Sequence, residues 1–72
     1  MFFHKFGKIA RDKRERKGLS LERTAELCGM SVVGLELIEL GDSNPKLSSV
    51  LSIASVLGID LGELNGFDQT AV

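Results

Sequence analysis

Cys28 and His4 are the side chains best suited to covalent or metal chemistry, and their placement argues against both. A single cysteine cannot close an internal disulfide, and one distant histidine gives no metal-ligand spacing, so no metal and no cofactor is expected. In its position Cys28 reads as a small hydrophobe. No nucleophile has an adjacent base, no carboxylate pair can be placed in a cleft, and no glycine-rich phosphate loop is present, so an enzyme is not expected. What remains is charge. Residues 1–20 hold seven Lys/Arg against two acids, whereas residues 21–72 hold two against eight. A basic first segment beside an acidic remainder could rest on phosphate or could pair with acids of its own domain.

The elements that must position these charges follow from spacing. Phe6, Ile9 and Ala10 fall at helical intervals among Lys8, Arg11, Lys13, Arg14, Arg16 and Lys17, which predicts an amphipathic first helix over 6–18, ended by Gly18. Phe2 and Phe3 precede it, as an extension of its apolar face or as a frayed end. Ser20 is an N-cap for a second helix, with Glu22 near the positive end of its dipole, and Ala25 with Leu27 or Cys28 forms its buried side. Gly29 supplies a tight turn, and Met30 fills the space beneath it. Ser31 then caps a third helix, VVGLELIEL, in which Leu35 and Ile38 share the inward face. Gly34 weakens this helix by on the order of 1 kcal/mol against Ala, which suggests a close approach at that point. Gly41 stops it, and Asp42-Ser43-Asn44-Pro45 is turn chemistry. Residues 19–45 thus read as a helix-turn-helix with an ordered exit loop.

A fourth helix over LSSVLSIASVLG places Leu47, Val50, Leu51, Ala54 and Leu57 on one side with Ile53 flanking, and Gly58 as C-cap. Asp60-x-x-Glu63 is a capping signature for a short fifth helix through Leu64, closed by Asn65-Gly66. Phe67 either plugs the core or joins a dimer contact with helix five. A single domain over 1–67 is expected, with a short disordered tail over 68–72.

Length and composition agree with one compact helical domain. The chain of 72 residues is 43% apolar and 26% charged, the balance of a globular protein. No apolar run approaches the roughly 18 residues needed to span a bilayer, and MFFHKFGK has neither the apolar length nor the charge order of a signal peptide. A cytoplasmic protein with no membrane association is the expectation. Four Phe with no Trp or Tyr give no evident base-stacking platform.

Arg14 four residues before Gly18, then Leu19-Ser20, Ala25, Gly29-Met30-Ser31, Leu35, Ile38-Glu39-x-Gly41, Asn44-Pro45, Ala54 and Leu57-Gly58-Ile59 form a set. It resembles the lambda-repressor-like or XRE family of helix-turn-helix domains, which includes phage Cro and repressor proteins. The resemblance covers about Phe6 to Phe67. It implies an all-α, compact five-helix DNA-binding domain whose helix-turn-helix is formed by helices two and three. It also implies an ion pair between Arg14 and Glu39 that ties helix one to helix three. In such domains helix three, here about 32–40, lies in the major groove, while the starts of helices two and three and the exit loop hold phosphates. Val32, Val33, Glu36 and Leu37 would then face the bases, and Ser20, Leu21, Ser31, Gly34, Ser43, Asn44 and Lys46 would be phosphate-positioning.

This sequence departs from the family at the reading positions. Leu21 stands where Gln is common, and helix three offers no Arg, Lys, Asn or Gln for a bidentate contact to guanine or adenine. Leu40 replaces a residue that is often basic, and Asp42 adds repulsion near the phosphates. Lys13 and Thr24 stand where apolar residues are usual. Two functions follow. The first is a sequence-specific, dimeric transcriptional regulator acting on double-stranded DNA. The second keeps the fold but uses an apolar helix three, through Val32, Val33, Leu37 and Leu40, to bind a protein, with weak DNA binding or none.

Overall fold

A computed structural model describes residues 2–60, and these form four α-helices: α1 (Phe2–Arg16), α2 (Leu21–Cys28), α3 (Val32–Leu40) and α4 (Leu47–Leu57). No strand occurs among the described residues. The fifth helix expected from Asp60-x-x-Glu63, together with Phe67 and the tail, lies outside them.

Each helix stops at a glycine, and two of these stops set the geometry of the motif. Gly29 adopts φ 69° after α2, which lets the Met30 N–H reach back to the Ala25 carbonyl at 3.0 Å. Gly41 adopts φ 77° after α3, and the Asp42 N–H donates to the Leu37 carbonyl at 3.0 Å. A side chain costs free energy at such angles, so glycine fixes where each helix ends and which way the chain leaves. At the opposite ends Ser20 Oγ accepts from the Arg23 N–H and Ser31 Oγ from the Gly34 N–H, both at 3.0 Å. These caps satisfy donors that would otherwise be open at the starts of α2 and α3.

The core gathers one stripe from every helix: Phe6 and Ala10, Ala25, Leu35 and Ile38, then Val50, Ile53, Ala54 and Leu57, with Ile59 closing it. Thr24 is also fully buried, and its hydroxyl donates to the Ser20 carbonyl at 2.9 Å, so a polar residue at this apolar position leaves no unsatisfied group. Lys13, the other departure, is only half-buried. α1 packs against α3 and α4, and α2 packs against the same two helices.

One expectation is corrected, and two alternatives that spacing left open are resolved. α1 begins at Phe2, so the helix takes in the residues left open as an extension or a frayed end, and its first turn has a support that spacing does not reveal: a Cβ placed on Gly41 would lie 2.7 Å from His4 Nδ1 and 3.0 Å from His4 Cα. The start of α1 therefore rests on the end of α3. In α4 the buried stripe is Val50, Ile53, Ala54 and Leu57, while Leu47 is 72% exposed and Leu51 about half exposed. Fully buried Ile53 lies at the centre of that stripe, which turns Leu47 and Leu51 outward. In α2 the choice between Leu27 and Cys28 as the partner of Ala25 falls to half-buried Cys28, with Leu27 exposed.

Candidate nucleic-acid interface

The third helix is held by two contacts from α1. A Cβ on Gly7 would meet the Ile38 carbonyl oxygen and would lie 3.0 Å from that of Glu39, so the two backbones touch at a point where only glycine fits. Two turns along, Arg14 reaches α3 through its guanidinium. Its Nε donates to Glu39 Oε2 at 2.7 Å and its Nη2 to Glu39 Oε1 at 3.2 Å, a bidentate pair, while Nη1 donates to the Leu19 carbonyl at 2.9 Å. The side chains are 14% and 6% exposed. The hydrogen bond to Glu39 raises the Arg14 pKa above its ordinary value, against the opposing effect of desolvation. One arginine thereby joins α1, the entry to α2 and the end of α3.

With Leu35 and Ile38 buried, the opposite face of α3 points to solvent. Val33, Glu36, Leu37 and Leu40 are exposed there at helical spacing, one position per turn or its neighbour. Val32, at the first position, is half-buried and packs against the core. Leu21, at the start of α2, is likewise half-buried against the core. Gly34 is half-buried, and the close approach there is local: an added Cβ would lie 3.0 Å from the Ser31 hydroxyl that caps the same helix. No second helix is involved.

The exit loop leads from Gly41 to α4. Asn44 is exposed and Ser43 half-buried. Lys46 is the exposed N-cap of α4, and its ammonium, a donor only, leaves the first-turn N–H groups of that helix without a side-chain cap. Ser20 and Ser31 are exposed, but their hydroxyl oxygens already accept from their own helices.

A shallow depression of about 160 Å³ lies over the Arg14–Glu39 pair, lined by Arg11, Arg14, Leu21, Glu36, Glu39 and Leu40. It brings together the start of α2, the outer face of α3 and one cation from α1. Arg11 is the member that spacing did not single out, since a basic residue on an amphipathic helix reads first as a solvated one. Its nearness to Arg14, three residues on, is the signal that could have found it. None of Ser20, Ser31, Ser43, Asn44 and Lys46 lines this depression.

The three arginines of α1 pair within the domain. Arg14 pairs with Glu39, Arg11 with Glu15 at 3.3 Å and Arg16 with Asp12 at 3.0 Å. On α2, Arg23 pairs with Glu26 at 2.7 Å. The pairs other than Arg14–Glu39 are well exposed and contribute little to stability. Burial pushes the Cys28 thiol pKa up, which lowers its thiolate fraction at neutral pH and its reactivity. No group of metal-ligating residues occurs among the described residues, and no helix there is long and apolar enough to cross a membrane.

A helix-turn-helix family model matches residues 11–64, most of the chain and the whole of α2, the Gly29 turn and α3. No curated protein and no solved structure matches it. From the Ser20 cap through the Gly41 stop, matched pattern and geometry coincide: the chain belongs to the helix-turn-helix family, in its lambda-repressor-like or XRE form.

Proposed function

We propose that this protein is a DNA-binding transcriptional regulator that lays α3 in the major groove, without enzymatic activity. The family is one of DNA-binding regulators, and the observation that carries the reading is the outward face of α3. Gly7, Arg14 and the buried pair Leu35 and Ile38 hold that helix by its inner side and leave Val33, Glu36 and Leu37 free to meet base edges. Readout is narrow: Val33 methyls against thymine methyls, and Glu36 accepting from a cytosine amino group. Val32, half-buried, reaches the groove only at its edge. Affinity comes from phosphates, held near the starts of α2, α3 and α4 by Ser20, Ser31, Ser43, Asn44 and Lys46 and by first-turn N–H groups. Two copies on one duplex would place half-sites about one helical turn apart.

One observation favours a second use. Val33, Leu37 and Leu40 form an exposed apolar stripe with no cation on the same helix, and such a stripe suits a protein partner. Salt separates the two uses. Titration of mixed-sequence duplex DNA, followed by fluorescence anisotropy, should show affinity falling about a hundredfold between about 50 and about 200 mM salt, as a few neutralised phosphates require. Absence of binding at the lower salt would replace the DNA reading with the protein-binding one.

A further inference from the structure

Resting on that reading, we propose that Arg11 is a DNA-phosphate contact, the cation of a recognition face whose own helix carries none. The proposal comes from the position of Arg11 in the depression over the Arg14–Glu39 pair. That depression is walled by Leu21 at the start of α2 and by Glu36 and Leu40 on the outer face of α3. A duplex seated on α3 brings a phosphate strand to this edge, because the start of α2 flanks the groove that α3 enters.

Of the other three arginines, two are held more firmly and one lies in a separate groove. Arg14 spends Nε, Nη1 and Nη2 on Glu39 and Leu19 and is mostly buried. Arg23 binds Glu26 at 2.7 Å through a terminal nitrogen. Arg16 shares a separate groove with Lys8, Ile9, Asp12 and Lys13. Arg11 donates only Nε, at 3.3 Å, to Glu15, and both side chains are more than half exposed. Its two terminal nitrogens keep their donors, and the pair it would leave is weak. Guanidinium presents a planar fork that suits phosphate oxygens.

Local chemistry explains why a cation is needed here. The side chains of Leu21 and Leu40 cannot donate a hydrogen bond, and Glu36 repels phosphate. Arg11 offsets the Glu36 charge and supplies the side-chain donors that its apolar neighbours lack.

Arg11→Gln, Arg11→Lys and Arg16→Gln test this in the full chain, with melting temperature and helical circular dichroism checking that each variant folds. The slope of log affinity against log salt is measured with one mixed-sequence duplex. Arg11→Gln should lower affinity about three- to tenfold and reduce the slope by about one, the signature of one lost phosphate contact. Arg11→Lys should keep the slope, and Arg16→Gln should leave both quantities near wild type. Equal slopes for wild type and Arg11→Gln, with DNA still bound, would overturn the Arg11 contact and leave the DNA reading standing. A parallel loss in Arg16→Gln would also overturn it, since the effect would then be general charge. Failure of the wild type to bind DNA would overturn both.

Discussion

On the side of α3 that meets α1, a glycine lets two backbones touch, a bidentate ion pair is nearly buried, and Ile38 is 4% exposed. On the opposite side Val33 is 64% exposed, Leu40 is 51% exposed, and Glu36 has no ion-pair partner among the described residues. The inner side has one geometric solution, because a methyl group or a missing charge there cannot be absorbed by solvent. The outer side is free of that constraint, so its residues can be set by whatever the helix binds. One helix therefore carries the fold on one face and the function on the other, and the two faces should respond to substitution in opposite ways.

The largest effect is expected at the tightest contact. Gly7→Ala drives a Cβ into the Ile38 carbonyl and must push α1 away from α3, so the fold should lose about 3 kcal/mol in chemical denaturation. Glu39→Gln comes next. The amide oxygen can still accept one bond, but the Arg14 charge is left without its counterion, and a loss of about 2 kcal/mol is expected. Leu40→Ala should shift stability by no more than about 0.5 kcal/mol, because its side chain is half in water already. A large loss for Leu40→Ala, or none for Gly7→Ala, would break the division between the faces.

The starts and stops of the helices were readable because capping is local. Ser20, Ser31, Gly29, Gly41 and Gly58 act within a few residues of their place in the chain, and α2 to α4 have the bounds those residues predict. Gly7 was not readable, since its role depends on where the α3 backbone passes and nothing near it in sequence records that. The same reason hid the support of His4 for the first turn of α1. Spacing placed Leu47 and Leu51 on the buried side of α4, because an apolar helix has several plausible faces and only packing chooses among them. The outer face of α3 was legible as a departure from its family, and the resemblance itself covered residues that the family model also matches. The company of Arg11 was not legible, because three separate elements form that depression.

The most direct test of the outer face is an amide chemical-shift titration of the isotopically labelled protein with mixed-sequence duplex DNA, at low and at near-physiological salt. Shifts concentrated at Ser20, Ser31 to Gly34 and Ser43 to Lys46, shrinking as salt rises, are the predicted result. Shifts confined to the basic first helix, or none, would contradict the account and mark the exposed face of α3 as a surface for protein.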